Sequence, residues 1–188
     1  MNDLHVGVII GSTRPGRRAD TVARWVLEQS ARHTGLRCEP VDLADHDLPL
    51  LDEPVPAIAG DYRHPHTRRW AETVAGFDAF VFVVPEYNRS IPAALKNAID
   101  YLYAEWADKA AGIVGYGATA GGSRAVEHLR HVLAEVHVAD VRTPVLLGVY
   151  DDFDADGRPA PRPHTAEAVD MMFGELLAWG RALKSVRV

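Results

Sequence analysis

The chain has 188 residues, enough to bury one substantial core without disulfides or a structural metal, so a single domain over 1–188 is expected. Its 20 lysines and arginines against 26 aspartates and glutamates leave a formal charge of −6, a field that repels nucleic-acid backbones and anionic lipid surfaces, and neither partner is expected. No stretch approaches the ~20 apolar residues of a membrane span and no cationic segment precedes the first apolar run, which points to a cytoplasmic protein.

HVGVII at 5–10 is the first expected strand, rich in Val and Ile in the manner of a strand covered on both faces. GSTRPGRR follows at 11–18, and Val22, Trp25 and Val26 set a helical spacing behind it. A weaker run, LRCEPVDL at 36–43, is the second strand; it holds the lone cysteine, Cys38, expected as a buried, inert thiol. Trp70, Val74 and Phe77 mark the next helix, and AFVFVV at 79–84 the third strand. In PEYNRSIPAALKNAIDYL the helix is carried by Leu95, Ile99 and Leu102, with Pro92 expected in its first turn and Ser90 as its cap. GIVGY at 112–116 is the fourth strand, GATAGGSR at 117–124 the loop after it, and Val126, Leu129, Val132, Leu133 and Val136 the following helix. PVLLGV at 144–149 is the fifth strand. The polar, proline-rich DDFDADGRPAPRPH reads as a long surface loop before a last helix bearing Val169, Met172, Phe173, Leu176, Leu177 and Leu183.

Strands and helices that alternate in this way argue for an α/β, doubly wound parallel sheet, because each parallel strand needs a crossover back. Ending on a helix after five strands favours the order 2-1-3-4-5 with helices on both faces. In that order the loops after strands one and three flank the switch point where ligands bind.

Three loops then meet at one ligand. In GSTRPGRR, free amides at a helix start, the Ser12 and Thr13 hydroxyls and the Arg14, Arg17 and Arg18 guanidiniums suit an anion. Gly11 and Gly16 have the spacing of a triphosphate loop, but Arg17 and Arg18 stand where Lys and Ser/Thr belong, and G-x-G-x-x-G is absent, so a monophosphate held without metal fits better. Glu86, Tyr87 and Asn88 put an acid, an aromatic and an amide at the crevice mouth, able to border a flat heterocycle. The glycines and alanines of GATAGG clear side chains so that a planar group can lie against the backbone. Together the loops describe a mononucleotide with a large flat ring, most economically flavin mononucleotide (FMN).

On GSTRPGR, PEYNRSIPAALKNAIDYL and EWADKAAGIVGYGATAGGSRAVEHLR, the chain resembles the NADPH-dependent FMN reductase family, flavodoxin-like reductases of quinones, azo compounds and chromate. The resemblance implies that Ser12, Thr13, Arg14, Arg17 and Arg18 hold the FMN phosphate. It implies too that Pro85, Glu86, Tyr87 and Asn88 border the ribityl chain and ring with Ser90 supporting them, and that Gly117 and Gly121 lie by the ring. NADPH, a small-molecule acceptor and a homodimer or homotetramer are implied with it. The flavin carries the redox chemistry, so no catalytic side chain is named, and Glu86 is expected to be positional. Arg63, Arg68, Arg69, Arg89 and Arg124 are candidates for a 2′-phosphate. A flavodoxin-like electron carrier without NAD(P)H activity is the alternative. The histidines, including His64, His66, His128 and His131, read as solvated, and no metal is expected. DFDADG opens like a calcium loop, but its twelfth position is Pro163.

Overall fold

The computed structural model describes residues 3–187. Strands β1 (Leu4–Ile10), β2 (Leu36–Asp42), β3 (Ala79–Pro85) and β4 (Lys109–Gly117) form a parallel sheet, completed beyond β4 by two short strands, β5 (Val138–Asp140) and β6 (Val145–Gly148). The order is β2-β1-β3-β4-β5, with β6 also on β4, which is the flavodoxin-like arrangement expected. The fifth position is divided: β5 pairs with the first residues of β4, from Lys109↔Val138, and β6 with its last, up to Gly117↔Gly148.

Helices cover both faces. On one, α1 (Ala19–Ser30) and α6 (Pro163–Lys184) bury Val22, Val26, Val169, Met172, Phe173 and Leu176 against Val6, Val8, Val81 and Val114. On the other, α2 (Leu43–His46), α3 (Pro65–Ala75), α4 (Ala93–Asp100) and α5 (Ser123–Glu135) pack Trp70, Leu95, Ile99 and Leu129 on Ile9, Phe80, Phe82 and Ile113. Each residue of β3 is buried, which is why its sequence runs apolar without alternation.

Local expectations shift at three points. Helix α3 ends at Ala75, and Phe77 lies beyond it, 6.1 Å edge-on to Phe80. Pro92 is the residue before α4 rather than inside its first turn, and Ser90 does not cap that helix, which has no side-chain cap. Cys38 is half-buried on the edge strand β2, and burial raises its thiol pKa.

The register aligns the carboxyl ends of the strands along one edge: Ile10 pairs with Asp42 and Val83, Pro85 with Tyr116 and Gly117 with Gly148. The loops after β1, β3 and β4 leave the sheet there.

Candidate functional site

The loop after β1 is anchored at its first residue. The amide of Gly11 donates to the Val83 carbonyl at 3.0 Å, and a Cβ at Gly11 would stand 2.9 Å from that oxygen. Ser12 is fully buried; its hydroxyl lies 2.9 Å from the Tyr87 hydroxyl and accepts from the Arg14 amide. The three arginines separate into two kinds. Arg17 turns inward and donates to Asp20 at 2.7 Å, to Asp42 and to the Ser12 carbonyl, so its guanidinium braces the loop instead of facing a ligand. Arg14 and Arg18 are exposed. Arg14 has no carboxylate partner among the described residues, and Arg18 stacks 5.1 Å over the Phe153 ring.

Helix α1 begins at Ala19 with Arg18 at its N-cap and no side-chain cap. Its first amides therefore keep unmet donors at the positive end of the helix dipole, beside two guanidiniums that have no acid partner among the described residues. That donor set fits a phosphate. Thr13 points elsewhere, into a separate hollow with Leu43, Asp47 and Asn97.

The loop after β3 is a two-residue turn. Tyr87 and Ser90 exchange backbone hydrogen bonds of 3.0 Å each way, and Asn88 and Arg89 at its tip have φ of 49° and 69°. Both central residues of such a turn need positive φ, and Arg89 adopts it without the freedom of glycine. Glu86 faces the next loop: its carboxylate, 8% exposed, accepts from the Arg124 amide at 3.1 Å and from the Arg124 Nε at 2.6 Å. Glu86 thus ties the loop after β3 to the start of α5. Ser90 does the same one turn further along α5, with its hydroxyl 2.6 Å from His128 Nδ1.

In the loop after β4, Gly121 and Gly122 have φ of 57° and 88°. A Cβ at Gly122 would stand 2.6 Å from the Tyr116 amide nitrogen, and one at Gly117 3.0 Å from the Gly122 nitrogen and 3.2 Å from the Glu86 Cβ. These glycines answer to the chain's own packing more than to an approaching ring. Gly121 is buried against Leu146. The amides of Ala118 and Thr119 find no acceptor among the described residues.

Arg14, Gly16, Arg18, Pro85, Glu86, Tyr87, Tyr116, Gly117, Ala118 and Val149 enclose a cavity of about 250 Å³. Of the expected site residues, Arg14, Arg18, Pro85, Glu86, Tyr87 and Gly117 meet there, with Ser12 beneath. Thr13, Arg17, Asn88, Ser90 and Gly121 lie outside its lining. Tyr116 and Val149 were not expected, and Gly16 and Ala118 were expected only as members of their loops. Tyr116 could have been found, since it pairs in register with Pro85 at the same sheet edge. Burial, with Tyr87 close by, pushes its phenol well above the ordinary value, so it stays neutral.

Several side groups have other uses. Among the 2′-phosphate candidates, Arg124 is held by Glu86, Arg63 pairs with Asp61, and Arg68 donates to the carbonyls of Tyr62 and Arg63. The histidines are not simply solvated: His66 lies 3.0 Å from Asp52 and stacks on His64, while His128 meets Ser90. Among the described residues, no three His, Cys, Asp or Glu side chains gather as a metal site. In DFDADG, Asp152 is fully buried and accepts from the Gly148 amide and from Arg162, and Asp154 accepts from the amides of Asp156 and Arg158.

Comparison with known proteins relates the chain to flavin-dependent reductases. The model of the NADPH-dependent FMN reductase family matches residues 4–151. The chain is 47% identical over 127 residues to an NAD(P)H-dependent FMN reductase of Schizosaccharomyces pombe, covering 66% of this chain and 63% of that protein. It is 33% identical over 180 residues to a probable NADPH:quinone oxidoreductase of Oryza sativa subsp. japonica, covering 90% and 85%. Among solved structures, the fold is shared with FerB, a flavoenzyme NAD(P)H:(acceptor) oxidoreductase of Paracoccus denitrificans, at TM-score 0.73 and 24% identity over 95% of this chain and 98% of that one.

Proposed function

Because the chain belongs to the NADPH-dependent FMN reductase family, we propose that its loops after β1, β3 and β4 hold FMN at the carboxyl edge of the sheet, where the protein passes reducing equivalents from NAD(P)H to a quinone, a flavin or a similar small acceptor. FMN, when bound, supplies the two-electron carrier that takes hydride from the nicotinamide and delivers it onward. The polypeptide supplies position and charge.

One observation carries this reading: the uncapped start of α1, flanked by Arg14 and Arg18, which have no carboxylate partner among the described residues, borders the same cavity as Tyr87 and Gly117. The phosphate docks at α1, with Arg14 and Arg18 gripping its oxygens and Arg17 holding the loop in shape from behind. Pro85, Glu86 and Tyr87 border the ribityl chain and ring. The free amides of Ala118 and Thr119 donate to the ring edge that gains electron density on reduction. No proton-transferring side chain is required of the protein. Thr13, Asn88, Ser90 and Gly121 act through loop shape. A cytoplasmic homodimer or homotetramer belongs to the same reading; the exposed Met171 and Trp179 on α6 offer apolar contact area for it.

The test is an absorption spectrum of the purified protein loaded with FMN, followed by anaerobic addition of NADPH. Bleaching of the flavin band and steady NADPH oxidation with a quinone are expected. A flavin band indifferent to NADPH, or no FMN uptake by folded protein, would refute the reading.

A further inference from the structure

A second hollow, of about 370 Å³, lies on the far side of the GATAGG loop from the cofactor cavity. The two share walls. Gly117 and Ala118 face the first, and Thr119, Ala120 and Gly121 the second; Val149 lines the first, and Gly148 and Asp151 the second. A molecule engaged at the flavin therefore has an adjoining place for a long tail.

The second hollow is built asymmetrically. Pro144, Leu146 and Ala168 give it an apolar side suited to a flat base. Opposite stands the start of α6, a helix of 22 residues whose N-cap, Arg162, makes no side-chain cap. Thr165, in its first turn, is 3% exposed and lines the hollow, yet its hydroxyl has no hydrogen-bond partner among the described residues. Its hydroxyl oxygen opens on the hollow, at the space a ligand would fill. Arg162 is locked by two bonds, of 3.0 and 3.1 Å, to the fully buried Asp152, with half of its side chain still exposed, and His164 is exposed beside it. Asp151 is the one carboxylate in the lining, and a carboxylate suits the hydroxyls of a ribose.

We infer that this hollow receives the phosphorylated adenosine half of NAD(P)H, its base on Pro144, Leu146 and Ala168 and its phosphate at the Thr165 hydroxyl, the Arg162 and His164 side chains and the His164 amide, the one amide of the first turn that neither proline nor the Arg162 carbonyl takes. The inference rests on the reading of the chain as NAD(P)H-dependent. It assigns the remote end of the dinucleotide to α6, an element that contributes nothing to the FMN cavity.

The probe is adenosine 2′,5′-bisphosphate, titrated calorimetrically into the FMN-loaded protein and tested as a competitor of NADPH oxidation. It should bind and compete with NADPH. Thr165→Val, which keeps the side-chain shape, should weaken it about tenfold, the loss of one hydrogen bond to a charged group. Ala168→Phe, which fills the apolar side, should weaken it at least as much, and FMN affinity and thermal midpoint serve as checks that both variants fold. No binding to the wild type, or equal affinity in both folded variants, overturns the inference. If the bisphosphate binds with these sensitivities but NADPH is never oxidised, the functional reading falls and the site stands.

Discussion

Dividing the three arginines of the loop after β1 predicts opposite consequences for residues only three positions apart. Arg14 is exposed and has no acid partner among the described residues, so Arg14→Ala removes charge from the ligand side alone. One guanidinium donating to phosphate oxygens contributes about 1.5–3 kcal/mol, which converts to a roughly 10- to 150-fold weaker dissociation constant for FMN. Riboflavin, which lacks the phosphate, should bind Arg14→Ala as it binds the wild type. Arg17→Ala instead strands Asp42 and the Ser12 carbonyl, because the 10% exposed side chain of Arg17 bonds both and Asp20 besides. Discounted for solvent screening, that loss is about 1–2 kcal/mol of stability, or about 2–8 °C in thermal midpoint for a chain of this size. The assay is a fluorescence titration of FMN and riboflavin into each apo variant, paired with a melt. If Arg14→Ala weakens riboflavin as much as FMN, or if Arg17→Ala leaves the melt untouched and acts only on the phosphate, the division is wrong.

Gly122→Ala forces a side chain onto φ of 88° with its Cβ 2.6 Å from the Tyr116 nitrogen, and should cost more than about 2 kcal/mol in chemical denaturation; a loss under about 0.5 kcal/mol would contradict the geometry. Glu86→Ala frees the Arg124 amide and guanidinium and should lower stability by about 1–3 kcal/mol while weakening riboflavin as well as FMN, since both loops at the ring lose their tie. Lys109 is 5% exposed and donates to the Val74 carbonyl at the end of α3; burial, with Arg187 nearby, pushes its ammonium down to about 8 from an ordinary 10.5. Between those values the unfolded chain binds more protons than the folded one, so stability should rise with pH from 8 to 10.5 by up to about 3 kcal/mol. Denaturation of Lys109→Met against wild type should show that rise missing from the variant, and equal slopes would refute the assignment.

The sheet order was legible because β1, β3 and β4 run apolar for most of their length, as strands buried on both faces must. Strand β5 was not, since three residues, Val138–Asp140, are too few to carry a periodicity. The three ligand loops could be located from the strands they follow, whereas the aim of each side chain within them could not. Arg14 and Arg17 read alike until Asp42, 25 positions from Arg17, is brought beside one of them by the pairing of β1 with β2. Ser90 looked like a cap because it precedes a helix, and its partner proved to be His128 on another helix. The glycines after β4 invited a ligand explanation, and their closest protein groups include Glu86 and Leu146, brought in from other strands and loops by the fold.

The hydroxyl contact between Ser12 and Tyr87 joins two loops separated by 75 positions before anything arrives between them. Their ordering entropy is met during folding, so an incoming cofactor encounters a socket rather than two free arms. Capture should then be limited by diffusion and alignment, with a rate that scales linearly with cofactor concentration and shows no plateau from a preceding loop rearrangement.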